Sequence, residues 1–290
     1  MEESDVREMA SRGLFRNAHL AGRVEETHIS WVILTRKYAF KIKKPLKLPF
    51  LDFSTTSLRQ KYCHREVSLN SRFSDIYLGV LPLRLTGGQW SIGESAGELK
   101  DYAVWMKRLA VSKRMDNQLR NGSVGQASIK SLALEVASFH QDAAKIFIPF
   151  DLSAGCDIFN DINTIAPLVS EKIGHRFHEI IQRSMQWSNA FLKQHQKRIQ
   201  ERIDRGFKRD VHGDLHAGNI FLYRKPVLFD CIEFNDHFRQ IDVLDEIAFL
   251  CMDLERFQQA KLARDFLSHY RKHFRCFEVR ADEDLFIYFK

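Results

Sequence analysis

Asp214, Asn219 and Asp230 are the residues of this chain whose types and spacing most readily do chemistry. They stand in His212-Gly213-Asp214-Leu215-His216-Ala217-Gly218-Asn219 and Val227-Leu228-Phe229-Asp230: a carboxylate, an amide five positions on, and a second carboxylate eleven positions after that. Between the last two, the apolar runs Ile220-Phe221-Leu222-Tyr223 and Val227-Leu228-Phe229 flank a turn at Arg224-Lys225-Pro226, the pattern of a β-hairpin. Such a hairpin returns Asp230 to the neighbourhood of Asn219, with Asp214 close by. Hard oxygen donors around a partly hydrated cation suit Mg²⁺ held jointly with substrate phosphates. The chemistry this implies is phosphoryl transfer.

The remainder of the chain must position these groups. Ile29-Ser30-Trp31-Val32-Ile33-Leu34-Thr35 is rich in β-formers, Arg36-Lys37 supplies a turn, and Tyr38-Ala39-Phe40-Lys41-Ile42 makes a partner strand. Strand alternation puts Ala39, Lys41 and Lys43 on one face, with Phe40 and Ile42 on the other. The hydroxyl cluster Ser54-Thr55-Thr56-Ser57 caps a helix from Leu58 to about Arg72. Its apolar positions are Tyr62, Val67, Leu69 and Phe73, and Arg59, Lys61 and Arg65 are its polar ones. Further strands are expected at Ile76 to Leu83 and Ala103 to Met106, with loops at Gly87-Gly88 and Gly93 to Gly97.

Beyond residue 108 the pattern turns helical. Ile129, Leu132, Ala133, Val136, Ala137 and His140 recur at helical spacing. Ile165 to about Arg205 reads as helix interrupted by Pro167 and Gly174. Ile241 to Phe257 is a further helix, with Leu244, Ala248, Phe249 and Met252 on one side. This segregation gives an α+β, two-lobed architecture, a β-rich lobe over 1–104 and a helical lobe over 105–290.

Size and composition agree with that plan. A chain of 290 residues with 44% hydrophobic and 28% charged residues can bury one large core or two. The net charge of +7 favours anionic ligands such as nucleotides. It is scattered and accompanied by no nucleic-acid-binding motif, so no nucleic-acid partner is expected. The five cysteines are odd in number and far apart, which indicates neither a disulfide framework nor a zinc site. Met1 to Leu14 carries four acidic residues and no apolar stretch, unlike a secretory signal. No run approaches a membrane span, so no membrane association is expected. A reducing cytoplasm is the expected compartment.

Here the motifs meet a known family. His212-Gly213-Asp214 followed by Asn219 resembles the catalytic loop of the kinase-like fold, and His-Gly-Asp-Leu-His is similar to aminoglycoside phosphotransferases and choline-kinase relatives. Glu26 to Val32, Tyr38 to Pro45, Leu51 to Ser54 and Asp230 to Asn235 resemble an uncharacterised bacterial subfamily of aminoglycoside-phosphotransferase-like proteins. The resemblance runs from about residue 20 to the end. It implies a two-lobed protein-kinase-like fold and an ATP- and Mg²⁺-dependent kinase acting on a hydroxyl. Asp214 is then the catalytic residue, accepting or orienting the proton of the attacking hydroxyl. Asn219 and Asp230 are the metal ligands. Lys41 contacts the α/β-phosphates and pairs with Glu66, and the small Ala39 leaves room for adenine. The Met106 to Arg108 backbone meets the base. His212 braces the loop, and Asp245 resembles the family's buried helix aspartate that hydrogen-bonds the loop backbone. There is no Gly-x-Gly-x-x-Gly before the Lys41 strand. The hairpin tip Thr27-His28-Ile29-Ser30 is expected to offer hydroxyls and backbone N–H groups to the phosphates instead.

Each residue also has a plainer reading. Asp245 could be a purely structural helix aspartate, His212 and His216 core histidines, and Met106 and Leu109 hinge or core. Lys43, Lys44 and Lys47 read as a solvated basic face, with Lys41 singled out by its match alone. For the whole protein the leading reading is a phosphotransferase with a small-molecule hydroxyl acceptor. The alternatives are a non-catalytic or protein-directed kinase-fold module that binds nucleotide, and a metal-dependent hydrolase using His212, Asp214 and His216. The hydrolase is disfavoured because Gly218-Asn219 runs into Ile220 and Phe221. Asp157 and Asp161 could offer carboxylates to a cationic acceptor, but 151–161 reads as solvated loop and the net charge argues against a polycationic antibiotic. Some resembling proteins continue into a P-loop kinase domain, for which this chain has no motif. The apolar end, Asp284 to Lys290, implies a truncated form with a poorly supported last helix.

Overall fold

The computed structural model describes residues 1–290. The chain opens on helix α1 (Glu3–Arg12), which buries Val6, Met9 and Ala10. Short strands β1 (Leu14–Phe15) and β2 (Ala18–His19) lead to β3 (Arg23–Glu26), β4 (Ser30–Leu34) and β5 (Tyr38–Lys43). The small ribbon β6 (Lys47–Leu48) and β7 (Leu51–Asp52) precedes helix α2 (Thr56–Asn70). Then come β8 (Tyr77–Thr86), β9 (Gln89–Ile92) and β10 (Glu98–Lys107). The eight-stranded sheet has the order β2-β1-β9-β8-β10-β5-β4-β3. Only the β1–β9 pairing within it is parallel.

Alternation along β4 and β5 sorts side chains between the two faces of the sheet. Trp31, Ile33, Phe40 and Ile42 join Val6, Met9 and Leu83 in an apolar core under α1. The opposite face carries Val32 opposite Lys41, Leu34 opposite Ala39, and Ser30 opposite Lys43. Helix α2 packs on this second face. It starts where expected, Thr55 accepting from the Leu58 N–H at 3.2 Å, but its buried residues are Arg59, Cys63, Glu66 and Asn70. The 4-3-4 spacing is helical, yet the residues are mostly polar; the apolar positions Val67 and Leu69 pack partly buried against neighbouring clusters. Each buried polar group has a partner, as burial requires. Arg59 grips Asp101 at 2.9 Å, and Asn70 accepts from the Cys231 N–H at 2.9 Å.

After Lys107 the helices follow: α3 (Met115–Arg120), α4 (Gln126–Asp142), α5 (Leu152–Asn160), α6 (Ala166–Lys172) and α7 (His175–Asp204). Pro167 lies in the first turn of α6, where its missing N–H is harmless, and so begins a helix where an interruption was expected. Residues 152–160, read above as solvated loop, are helical, with Asp151 capping the Ala154 N–H at 3.1 Å. Four short strands, β11 (Lys208–Asp210), β12 (Ile220–Phe221), β13 (Val227–Leu228) and β14 (Gln240–Asp242), form two ribbons, β11–β14 and β12–β13. Helices α8 (Val243–Arg256), α9 (Ala260–His273) and α10 (Arg280–Phe289) complete the chain.

The larger core lies among α4, α8 and α9, where Ile129, Leu132, Val136, Leu244, Ile247 and Phe266 are fully buried. Each such side chain contributes about 1.5–3 kcal/mol. Of the apolar positions expected on one side of α8, Leu244 and Ala248 are fully buried, whereas Phe249 and Met252 are 37% and 39% exposed. The last helix is well supported, contrary to expectation. Leu285 and Asp282 are fully buried, and Tyr288 stacks on Phe191 with centroids 4.5 Å apart. Asp282 pairs with Arg202 at 2.9 Å and with Arg198 at 2.9 Å. Cys63, Cys231, Cys251 and Cys276 are free and buried, and Cys156 is partly open. No helix is long and apolar enough to cross a membrane.

Candidate active site

A tight loop after β11 carries Asp214. Gly213 there has φ +82°, and a Cβ would lie 2.6 Å from the Phe238 carbonyl oxygen, so only glycine fits. His212 is fully buried, and its Nδ1 accepts from the Asp214 N–H at 3.3 Å. Its Nε2 therefore carries the proton and donates to the Phe229 carbonyl at 2.9 Å. Burial holds His212 below the ordinary imidazole range, which favours this neutral form. The imidazole thus ties the Asp214 loop to the residue preceding Asp230.

The loop has a second support that the sequence reading misplaced. Asp245 makes no hydrogen bond to it. The neighbouring Glu246 accepts from the His212 N–H at 2.8 Å and the Gly213 N–H at 2.7 Å through one oxygen. Its other oxygen meets His140 Nε2 at 2.6 Å, and His140 Nδ1 meets the Tyr270 hydroxyl at 2.7 Å. Two turns along α8, Asp253 accepts from the Ala217 N–H at 2.8 Å. The i, i+7 spacing of Glu246 and Asp253 in a helix that also holds Asp245 and Glu255 was the available signal. Helical phase decides between Asp245 and Glu246, because Glu246 shares its face with Asp253. Asp245 is only partly buried by surface area, but its carboxyl is pushed up to about 7 by burial, then by Asp242 and Glu246.

Asn219 is fixed by its amide nitrogen, which donates to the Asp214 carbonyl at 3.0 Å and to Asp214 Oδ2 at 3.1 Å. Its oxygen has no protein partner, which suits a metal ligand. The β12–β13 hairpin brings Asp230 back, with the Phe229 N–H donating to the Asn219 carbonyl at 3.2 Å. Asp230 has φ +65°, a conformation that Asp tolerates better than most side chains, and its N–H donates to the Tyr77 hydroxyl at 3.0 Å. His216 Nε2 stands 3.6 Å from Asp214 Oδ2. Burial raises the Asp214 carboxyl, but His216 and Asn219 outweigh it and hold the group below the usual range. Burial likewise works against the charged Asp230, and Lys41 prevails to keep it ionised.

From β5, Lys41 Nζ reaches Glu66 Oε1 at 3.0 Å and also contacts Asp230 Oδ1. Met106 lies opposite Ala39 in the β10–β5 ladder. Thr27, Ala39, Lys41, Met106, Arg108, His216, Asn219 and Asp230 line a cavity of about 440 Å³ between the sheet and the loop. Asp214 does not itself line the cavity but contacts two residues that do, Asn219 and His216. Two expectations change here. Ser30 is fully buried opposite Lys43, with its hydroxyl sealed and unpartnered, and does not line the cavity. Lys43, read as a solvated lysine, is also fully buried and is paired with Glu66 and Glu233. Lys44 pairs with Glu26 at 2.5 Å, whereas the Lys47 side chain is 74% exposed.

No group of three or more His, Cys, Asp or Glu could hold a metal by itself. The set Asp230 and Asn219, with Asp214 beside it, is all-oxygen and incomplete, which fits Mg²⁺ completed by phosphate oxygens and water. Arg108 donates to the Thr35 carbonyl at 2.5 Å, fixing the turn after β4 against the end of β10.

No family model matches the chain. Uncharacterized proteins of Mycobacterium tuberculosis and Mycobacterium bovis are 31% identical over 257 residues, covering 85% of this chain and 48% of theirs. The chain thus spans about half the length of the curated relatives it matches. Among solved structures, a choline/ethanolamine kinase family protein from Mesorhizobium loti superposes with a TM-score of 0.51 at 10% identity. That match covers 100% of this chain and 81% of the other.

Proposed function

We propose, from the premise that this chain has the two-lobed kinase-like fold, that it is an ATP-dependent phosphotransferase delivering the γ-phosphoryl group to a hydroxyl of a small-molecule acceptor. The observation that carries the reading is the convergence of Lys41, Asn219 and Asp230 on one cavity, with Asp214 bonded to Asn219 at its edge. In this reading 1–104 is the nucleotide-binding lobe and 105–290 the catalytic and substrate lobe. Ala39 and Met106 flank the adenine, and the Thr27 turn and Arg108 border the nucleotide.

Asn219 and Asp230 would hold Mg²⁺, which when bound supplies neutralisation of the phosphate charge. Lys41 exchanges Asp230 for the α/β-phosphates while keeping Glu66. Asp214 is ionised at neutral pH, and it orients the acceptor hydroxyl and takes its proton as transfer proceeds. Glu246 and His212 keep the loop in place, so the base need not reorganise. The acceptor reaches Asp214 from the side of the helical lobe.

The test is direct. Purified protein is titrated with ATP and Mg²⁺ in a thermal-shift assay, then screened for ADP release across metabolite alcohols. Stabilisation by Mg²⁺·ATP and release dependent on one class of alcohol are expected. No nucleotide binding would sink the reading.

A further inference from the structure

Lys43 sits two residues beyond Lys41 on the same face of β5 and is sealed from solvent. Its Nζ lies 2.6 Å from Glu66 Oε2, contacts Glu233 Oε1, and stands 4.9 Å from the Phe53 ring centroid. Glu66 is therefore shared, one oxygen for each lysine. Glu233 is 3% exposed and follows Asp230 by three positions. One strand thus crosses to the 230–233 segment twice, Lys41 to Asp230 and Lys43 to Glu233.

The two crossings differ in what a ligand can reach. Lys41 and Asp230 line the cavity, and the Asp230 side chain is 39% exposed. Lys43, Glu66 and Glu233 do not line it. When phosphate draws Lys41 away, Asp230 loses its tie to β5, while the Lys43–Glu233 tie remains. A sealed ion pair contributes little net stability, because desolvation offsets much of its attraction and apolar residues of similar volume often serve as well. Its return here is geometric.

We propose that Lys43 and Glu233 form a positioning pair that anchors the metal-ligand segment to β5, so that Asp230 keeps its place once Lys41 has turned to the nucleotide. The inference rests on the reading of Asp230 and Lys41 given above. ADP affinity is measured by calorimetry with Mg²⁺ and with EDTA, for the unaltered protein, Lys43→Met and Glu233→Gln, with a melting curve for each. The ratio of the two affinities reports how well the metal site is formed. Both variants are expected to lose about tenfold in that ratio, with affinity in EDTA changing far less.

A lower melting temperature with an unchanged ratio overturns the proposal, since a purely structural pair would behave so. Glu233→Gln keeps side-chain volume and one acceptor oxygen, and it decides the matter if Lys43→Met does not fold. Failure of both to fold also overturns the positioning role. Absence of any Mg²⁺ effect in the unaltered protein would instead refute the phosphotransferase reading beneath it.

Discussion

Replacing Glu246 by alanine tests whether the Asp214 loop is held from α8. One oxygen accepts two buried backbone N–H groups at 2.8 and 2.7 Å, and the other meets His140 at 2.6 Å. Hydrogen bonds to a charged group are worth about 1.5–3 kcal/mol each, and truncation leaves the donors unpaired in a dry interior. Losing one partner of such a buried set costs roughly 3–5 kcal/mol. Urea unfolding at neutral pH should show that loss as a shifted midpoint with an unchanged slope. Glu246→Gln retains one acceptor oxygen and should lose about 1–2 kcal/mol. Acid gives a second signature. Burial raises the Glu246 carboxyl, but His140, His212 and the Gly213 N–H outweigh it and hold the group low. A depressed carboxyl contributes stability above its unfolded value of about 4.3, and that contribution fades as pH falls through the folded value. The gap between the unaltered protein and Glu246→Ala should therefore narrow below about pH 4. A loss under about 1 kcal/mol at neutral pH, or a gap constant down the acid limb, would refute the reasoning.

On the proposed phosphotransferase reading, Asp214→Asn should cut phosphoryl transfer by at least about a hundredfold while leaving ADP affinity near its starting value; unchanged turnover would remove Asp214 as the base. Gly213→Ala forces a side chain into a φ +82° position 2.6 Å from the Phe238 oxygen, so thermal unfolding should drop by several degrees and nucleotide-dependent stabilisation should weaken. An unshifted melting curve would show that the loop adapts. Asp282→Asn weakens the sealed pairing of Arg202 and should cost roughly 3–5 kcal/mol. In the unaltered protein Asp282 is lowered to about 2, as Arg198, the Glu278 and Val279 N–H groups and Arg202 outweigh burial. This contribution is present above an unfolded value of about 3.9 and vanishes between there and about pH 2. A stability gap between the two proteins that stays constant from neutral pH down to about pH 2 would contradict it.

The legible parts were those in which one residue type had one purpose. Apolar alternation announced the β4–β5 pair, the hydroxyls before Leu58 announced α2, and Arg224-Lys225-Pro226 announced the turn that returns Asp230. The resemblance to kinase-like proteins is borne out at the level of fold. Reading failed where polar residues turn inward. Hydropathy places Arg59 and Lys43 in water, but their partners Asp101 and Glu233 come from distant segments and offset the cost of burial, whereas the Lys41–Glu66 pair was expected from the resemblance and is present. No local window contains both members of such a pair. The same limit moved the loop support from Asp245 to Glu246, because one residue of helical phase is invisible until β14 and α8 are placed. Phe249 and Met252 share the apolar side of α8 with Leu244 and Ala248 in the sequence pattern, yet they lie at the surface.

The distribution of thiols has a practical consequence. Burial pushes Cys63, Cys251 and Cys276 up to about 12, and Cys231 higher still, so at neutral pH these four are closed to alkylation by both access and protonation. Cys156 on α5 is the partly open one. A maleimide dye should therefore attach at a single defined point on the helical lobe of the unaltered protein. Ligand-induced changes in that lobe could then be followed by fluorescence without engineering any residue of the candidate site.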